Sequence, residues 1–320
     1  MSGHLITLIN GDGIGKEVIP AARRVLEALD LPLTFQDADA GFGTFERSGD
    51  ALPPETIRLC EASDSILFGA AQSPLSKVAG YRSPILRLRQ HFDLFANLRP
   101  AVGNGVDLLI VRENTEGMYS GRERLEDGGA TAILERVITA RASERITRAA
   151  CEQAQRRRRK LTIVHKANVL KETCGLFRQT ALMVTSAYPD LAVDELLVDT
   201  AALKLVQDAR PFDVLVTTNL FGDILSDLAA GLTGGLGLAA SANVGSGQIG
   251  VFEPVHGSAP DIAGQGTADP RAAILSAALL LDHLGYADQA ARVRAVTYAT
   301  PHTGSTAATT AGIIAALPTA

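Results

Sequence analysis

An α/β fold with an open sheet, divided into two lobes, is predicted by three observations. Short apolar segments of strand length alternate with helix-compatible stretches along most of the chain, as in βαβ units. The first apolar segment runs into the Gly-rich turn Asn10-Gly11-Asp12-Gly13-Ile14-Gly15, a strand–turn–helix junction. The 320 residues exceed what one compact core usually organises. The turn reads GxGxG rather than GxGxxG, and no ribose-binding acid follows at βαβ distance, which argues against a Rossmann-type fold.

The elements follow in order. Residues 5–9 are a short apolar run with no basic stretch before it, a first strand rather than a signal peptide. A helix is expected over about 17–29 and a strand over 33–38. Pro53 and Pro54 open a helix to about Glu61, since proline is tolerated in a first turn. Residues 65–68 read as a strand, 69–73 as a turn, 74–84 as a loop and 85–91 as a short helix. Further strands are expected over 108–111, 161–165, 196–198 and 214–217, with helices between them. Residues 118–139 are less regular. Glu126-Asp127-Gly128-Gly129 marks a turn between two short strands there, a projecting hairpin that is a candidate dimer contact. There is no internal repeat or low-complexity segment.

Composition narrows the class. Hydrophobic residues at 46% and charged residues at 20% suit a soluble globular protein. A net charge of −5 gives no overall pull toward nucleic acid or anionic membrane. No apolar run is long enough to span a bilayer. Cys60, Cys151 and Cys174 are odd in number and widely spaced, which argues against a disulfide framework or zinc site and fits a reducing cytoplasm. The run Arg156-Arg157-Arg158-Arg159-Lys160 could be a nucleic-acid patch. With no interleaved aromatics it reads better as a solvated helix C-terminus.

The segment around Asp223 and Asp227 carries the most chemistry. Two carboxylates four apart in a helix-compatible run share one face, and oxygen donors suit Mg2+ or Mn2+; acids suited to a helix N-terminus are the alternative. The GxGxG turn could bring backbone N–H groups to an anion. Arg82, Arg87, Arg89, Arg99 and Arg112 cluster within a short stretch. Guanidinium forks match carboxylates, so a substrate with several carboxylates is one reading and unrelated salt bridges the other. Lys166 ends an apolar strand, where poor solvation suits proton transfer; His165 beside it reads as structural. The loop Val255-His256-Gly257-Ser258-Ala259-Pro260-Asp261-Ile262 could wrap an adenosine, with Asp261 on the ribose, which favours NAD over NADP.

Seven segments together resemble the β-decarboxylating dehydrogenases of the isocitrate and isopropylmalate dehydrogenase family. They are GDGIGKE (11–17), LRLRQHFDLFANLRP (86–100), VRENTEGMY (111–119), HKANVL (165–170), VDTAALKLV (198–206), TTNLFGDILSDLAAG (217–231) and EPVHGSAPDIAG (253–264). They occur in family order over nearly the whole chain. The resemblance implies a cleft between a discontinuous cofactor-binding domain, 1–94 plus 235–320, and a dimerisation and metal/substrate domain, 95–234, with its arm at about 118–139.

It also implies roles. Arg89, Arg99 and Arg112 look like the clamp on the malate core of the substrate. Ser73 and Arg87 look like contacts to its distal part, and Asn168 like a further substrate contact. Tyr119 and Lys166 resemble the acid/base pair. Asp199, Asp223 and Asp227 resemble the Mg2+ or Mn2+ ligands. Ile14, His256, Gly257, Ser258, Ala259, Asp261, Ile262 and Asp269 resemble the NAD site. In family dimers Lys166, Asn168 and Asp199 come from the second subunit, so a homodimer with shared sites is implied, with a tetramer left open. In the implied reaction the metal acts as a Lewis acid at the 2-hydroxyl and adjacent carboxylate. Lys166 takes the hydroxyl proton, hydride passes to NAD+, CO2 leaves, and Tyr119 protonates the enol carbon.

For the substrate, Asn114-Thr115-Glu116-Gly117 is similar to the isocitrate, homoisocitrate and tartrate branches. GYRSPILRLR (80–89) resembles the homoisocitrate branch, and Arg82 and Arg87 offer cations to a distal carboxylate where an isopropyl group would want an apolar wall. Homoisocitrate to 2-oxoadipate, in lysine biosynthesis by the aminoadipate route, is the expected reaction. Isocitrate and then 3-isopropylmalate are the alternatives. A non-catalytic regulatory subunit would lose the lysine, tyrosine or metal carboxylates, and all are retained. Three departures stand out. Leu86 occupies a place where some homoisocitrate enzymes carry arginine. Asp269 replaces the usual Asn and cannot donate to an adenine nitrogen. His302-Thr303-Gly304-Ser305-Thr306 replaces the usual AspLeuGlyGly.

Overall fold

The computed structural model describes residues 3–317; the expected large domain's outermost positions, 1–2 and 318–320, lie outside them. The chain falls into two compact units, 1–94 with 235–320 and 95–234. The first contains β1 (His4–Gly11), α1 (Gly15–Glu27), β2 (Leu33–Asp37), α2 (Phe42–Ser48), α3 (Pro54–Glu61), β3 (Ser65–Ala70) and α4 (Pro84–His91). The second contains β4 (Ala96–Gly103), β5 (Val106–Glu113), β6 (Glu123–Glu126), β7 (Thr131–Leu134), α5 (Ala140–Gln155), β8 (Lys160–His165), α6 (Thr173–Thr185), β9 (Ala192–Leu197), α7 (Val198–Gln207), β10 (Val214–Thr217) and α8 (Asn219–Thr233). The chain then returns to the first unit with β11 (Ala240–Val244), β12 (Gly250–Pro254), α9 (Arg271–His283), α10 (Ala287–Ala299) and α11 (Thr306–Ala316).

In the first unit the strand order is β2-β1-β3-β12-β11. All pairs are parallel except β11 with β12. Every residue of β3 is buried, as expected of a parallel strand covered on both faces. Its core packs Ile9, Leu52, Ile66, Phe68, Leu88 and Val251 together. In the second unit the order is β4-β5-β10-β8-β9, parallel except for β4 with β5. Leu108, Ile110, Val164, Leu205, Leu215 and Leu225 form its core. The hairpin β6–β7 makes its own two-stranded sheet, with β6 exposed along its length. It is closed at its base by Gly117 N–H on Val137 O at 2.8 Å.

Three readings change. The strand expected over 196–198 is the end of β9, which begins at Ala192, and Val198 already starts α7. The GxGxG turn directs three of its N–H groups into the protein rather than toward an anion. Asp12 N donates to Ala70 O at 2.8 Å, Ile14 N to Ser258 O at 2.9 Å and Gly15 N to Asp12 O at 3.0 Å. The glycines serve close packing instead: Gly13 has φ +54 and a Cβ there would strike Ser258 O. Asp12, 7% exposed, accepts from Phe42 N at 2.7 Å, Gly43 N at 2.9 Å and Gln72 N at 2.9 Å. It thereby caps α2 and pins the turn after β3. The basic run follows the C-terminus of α5 with Arg156, Arg158 and Arg159 exposed, but part of it is also engaged by the protein. Arg157 Nε meets the buried Asp213 at 2.8 Å and its Nη2 meets Asp107 at 2.7 Å, while Lys160 Nζ donates to Pro211 O at 3.0 Å.

Candidate active site

In the second unit, β4 and β5 place three polar side chains on one sheet face. Asn97 lies opposite Arg112 in the antiparallel register, and Arg99 is two residues along from Asn97, so all three point the same way. Helix α8 packs on both strands. Its positions Asn219, Gly222, Asp223, Ser226 and Asp227 recur at helical spacing, so they share the face that meets these side chains.

Arg99 Nε donates to Asn97 Oδ1 at 2.6 Å, and its Nη1 reaches Ser226 Oγ at 2.7 Å, Asp223 Oδ1 at 3.0 Å and Asp227 Oδ1 at 3.5 Å. Arg112 Nη1 also pairs with Asp223 Oδ1. Tyr119 OH donates to Asp223 Oδ2 at 2.6 Å, and the Arg112 guanidinium lies 5.2 Å from the Tyr119 ring centroid. The cations are deep and the acid is outermost: the Arg112 side chain is 2% exposed, that of Arg99 9% and that of Asp227 55%. Burial, then the hydrogen bond to Asp223, raises the Tyr119 pKa, so the phenol keeps its proton. Burial raises the Asp227 pKa and Asp223 adds to it, against Arg99. Buried guanidinium groups can bind an anionic ligand and paired carboxylates a hard cation; in this structure they meet one another.

Lys166 and Asp199 form a separate pair, Nζ to Oδ1 at 2.6 Å, and that hydrogen bond lowers the Asp199 pKa. Among the described residues no three His, Cys, Asp or Glu side chains are placed to hold a metal. One chain therefore does not bring Asp199 together with Asp223 and Asp227. Asn168, just beyond Lys166, is exposed. His165, read as structural, is buried; its Nδ1 accepts from Ala167 N at 3.1 Å, its Nε2 lies 3.4 Å from Glu195 Oε2, and burial lowers its pKa.

In the first unit, Arg89 is buried and its Nη2 donates to Glu253 Oε1 at 2.9 Å. Asn243 Nδ2 donates to the same oxygen at 2.9 Å. Arg87 is paired with Asp50. Burial works to raise the Asp50 pKa, but the Arg87 and Leu52 hydrogen bonds hold it below its ordinary value. The predicted distal-group cation is thus already engaged. Ser73 is exposed. The loop from His256 to Asp269 is tied at several points: Ile14 N to Ser258 O, Gly264 N to Glu17 Oε1 at 2.7 Å, and Thr306 Oγ1 to Ala268 O at 2.6 Å. Gly257, Ala259, Asp261 and Ile262 lie along it, with Asp261 exposed and Ala259 at φ 38. Burial lowers the His256 pKa. Asp269 takes a fork from Arg271, Nη2 to Oδ2 at 2.7 Å and Nε to Oδ1 at 3.0 Å. Ser305 caps α11, accepting from Ala308 N at 3.3 Å, and His302 Nε2 lies 3.1 Å from Thr267 O. The departure at 302–306 thus anchors the 266–268 segment.

With this geometry in place, the likeness to known proteins has a physical basis. The profile of the family described as isocitrate/isopropylmalate dehydrogenase matches residues 5–314. The chain belongs to the isocitrate/isopropylmalate dehydrogenase family. It is 56% identical over 298 residues to the isocitrate/homoisocitrate dehydrogenase of Thermus thermophilus, covering 91% of this chain and 88% of that one. It is 50% identical to the 3-isopropylmalate dehydrogenase of Archaeoglobus fulgidus, covering 90% and 88%. The isocitrate dehydrogenase structure from Methylococcus capsulatus superposes with a TM-score of 0.93 at 41% identity, over 98% of this chain and 99% of that one. As a member of the isocitrate/isopropylmalate dehydrogenase family, the protein is an oxidoreductase that acts on a hydroxy acid with decarboxylation. The family uses a divalent metal and NAD(P), and its members often form dimers. Among the described residues no helix is long and apolar enough to cross a membrane.

Several residues that build the turn after β1, the candidate site and its surroundings escaped sequence reasoning. Asp12 was visible only as a turn residue between glycines. Asn97, Asn219 and Ser226 carry no local signal, because their use depends on β4, β5 and α8 meeting. Glu253 is separated from Arg89 in sequence by the entire second unit, and Arg271 gave no reason to look for Asp269.

Proposed function

We propose that this protein catalyses the NAD-dependent, Mg2+- or Mn2+-dependent oxidative decarboxylation of homoisocitrate to 2-oxoadipate, as in lysine biosynthesis. The observation that carries the chemistry is the Arg99–Arg112–Tyr119–Asp223 constellation. Two buried guanidinium groups would bind the carboxylates of the malate core, with Arg89 as a third. The 56% identity to an isocitrate/homoisocitrate dehydrogenase supports a distal carboxylate, as does Arg82 just before α4, while Arg87 within it would have to leave Asp50. Isocitrate is the second reading and 3-isopropylmalate the third.

The donor set fits a hard divalent cation in part. Asp223 and Asp227, one turn apart on α8, are both oxygen donors that already face Arg99 and Arg112, and the raised Asp227 pKa reflects burial, with Asp223 adding to it against Arg99. Asp199 of the partner subunit would complete the set. Bound there, the metal would supply Lewis acidity at the 2-hydroxyl and its neighbouring carboxylate. The chain's own groups do the rest. Arg99 and Arg112 orient the substrate, Lys166 of the partner subunit accepts the hydroxyl proton with the partner's Asn168 beside it, and Tyr119, held protonated, delivers a proton to carbon after CO2 leaves. A homodimer is supported by apolar side chains exposed on the second unit, among them Val169 at 65%, Leu203 at 57%, Val206 at 59% and Ile224 at 58%. Isolated apolar residues are ordinary on a surface, but several on α7 and α8 indicate a covered face. The first unit is assigned the NAD site, along the loop from His256 to Asp269 with Ile14. The three free cysteines are buried, and burial pushes Cys60 to about 12 and Cys151 to about 11, inert thiols suited to the cytoplasm.

The test is NADH production by the purified protein with Mg2+ on homoisocitrate, isocitrate and 3-isopropylmalate. Homoisocitrate leading by tenfold or more in kcat/KM, about 1.4 kcal/mol, upholds the assignment. A lead by either other substrate moves the distal-group reading, and no turnover on any of them returns the non-catalytic subunit.

A further inference from the structure

We propose that Asn219 is a positioning residue: it clamps the Arg112 guanidinium in place without adding a second counter-charge to that of Asp223, a role that rests on Arg112 binding a substrate carboxylate. Asn219 opens α8 and is 1% exposed. Its Oδ1 accepts from Arg112 Nε at 3.1 Å and from Nη2 at 2.6 Å. Its Nδ2 donates to the Glu116 carbonyl at 3.1 Å. One amide therefore grips the rear edge of the guanidinium and the loop that leads to Tyr119.

Two further features show that the arrangement is specific. At Gly222, a Cβ would come within 2.7 Å of both Cβ and Cγ of Arg112. The arginine stem thus lies flat on the helix, with no space for a side chain between them. The Glu116 carboxylate is itself fastened, accepting from Thr139 N and Thr139 Oγ1 at 2.9 Å each. The clamp reaches from α8 through the 112–119 segment to the start of α5. With Nε and Nη2 occupied, Nη1 is directed toward Asp223.

The choice of amide over carboxylate has a chemical reason. A carboxylate would grip the same edge more tightly, because charge-assisted forks are the strong ones. It would also add a second negative charge to that of Asp223, which Arg112 already meets, and it has no N–H to give the Glu116 carbonyl. An amide supplies the acceptor and the donor and adds no charge. The orientation of Arg112 is thereby set in advance, which is where a binding site gains most.

The test uses Asn219→Asp, Asn219→Ser and Arg112→Ala in the full-length enzyme. Readouts are kcat, KM for isocitrate and for NAD, and the calorimetric Kd for isocitrate without cofactor, isocitrate sharing the malate core of homoisocitrate. Asn219→Asp is expected to raise both the isocitrate KM and its Kd at least tenfold, with the NAD KM within twofold. Asn219→Ser, too short to reach both partners, is expected to raise them about fivefold and serves if the aspartate variant does not fold. Isocitrate KM and Kd within twofold of the parent, or an equal rise in the NAD KM, overturns the positioning role. Arg112→Ala separates the two levels. If it leaves isocitrate binding unchanged, the reading of Arg112 falls and the positioning role with it. If it abolishes binding while the Asn219 variants do not weaken it, only the positioning role falls.

Discussion

Replacing Glu253 by Gln isolates the charge of one buried pair. The Arg89 side chain is 8% exposed and that of Glu253 11%, at 2.9 Å. Removing one member of such a pair costs about 3–5 kcal/mol, because the remaining charge stays buried. Glutamine keeps the shape and one carbonyl acceptor, so the loss is of charge compensation and not of packing. A value near the lower end, about 3 kcal/mol, is expected. In urea this lowers the unfolding midpoint by about 1 M for a slope near 3 kcal/mol/M, with the slope unchanged. The same variant reports on substrate. If Arg89 binds a substrate carboxylate, removing its internal counter-ion lowers the substrate Kd, and saturating substrate restores stability by about 2.7 kcal/mol at a hundredfold excess over Kd. A loss under about 1 kcal/mol would mean that water screens the pair, and the burial reasoning would be wrong. A substrate Kd that does not fall would remove Arg89 from the clamp.

Three further outcomes are expected. The raised Asp227 pKa means that its contribution to stability is fully present below the unfolded value and lost as pH rises through the folded one. Metal-free Asp227→Asn should therefore melt above the parent at pH near 7 and lose that advantage below about pH 4, while excess Mn2+ stabilises the parent more than the variant. Equal melting of the two metal-free proteins at neutral pH would count against a crowded carboxylate pair. Asp50→Asn releases Arg87 from its counter-ion and should raise kcat/KM for homoisocitrate relative to 3-isopropylmalate by about tenfold; steady-state kinetics giving an unchanged ratio would show that Arg87 does not face the distal group. Val206→Glu places a charge on the exposed apolar face of α7 and should halve the mass seen by light scattering and abolish turnover, whereas an unaltered mass would put the dimer contact elsewhere.

The α/β class was legible because strand-length apolar runs survive in the sequence as local patterns. The strand at Val214–Thr217 and the hairpin turn around Asp127 needed no partner to be recognised. The family followed from seven ordered motifs; the arginines, Lys166, Asp223 and Asp227 carried chemical signals of their own, whereas roles for Tyr119 and Asp199 came only with the resemblance. Tertiary structure decided how those groups are used. Asp12 became a hub of backbone hydrogen bonds, and the adjacent glycines became points of close approach, because Ser258 and Ala70 pack against that turn from distant parts of the chain. Asp269 was given to Arg271, Arg87 to Asp50 and Arg89 to Glu253. A charged side chain in one sequence has many potential partners, and only the packing of its surroundings selects one. Asn219 shows the limit most clearly: an asparagine at a helix start reads as a polar end residue, and it becomes a clamp only because β5 carries Arg112 beneath it.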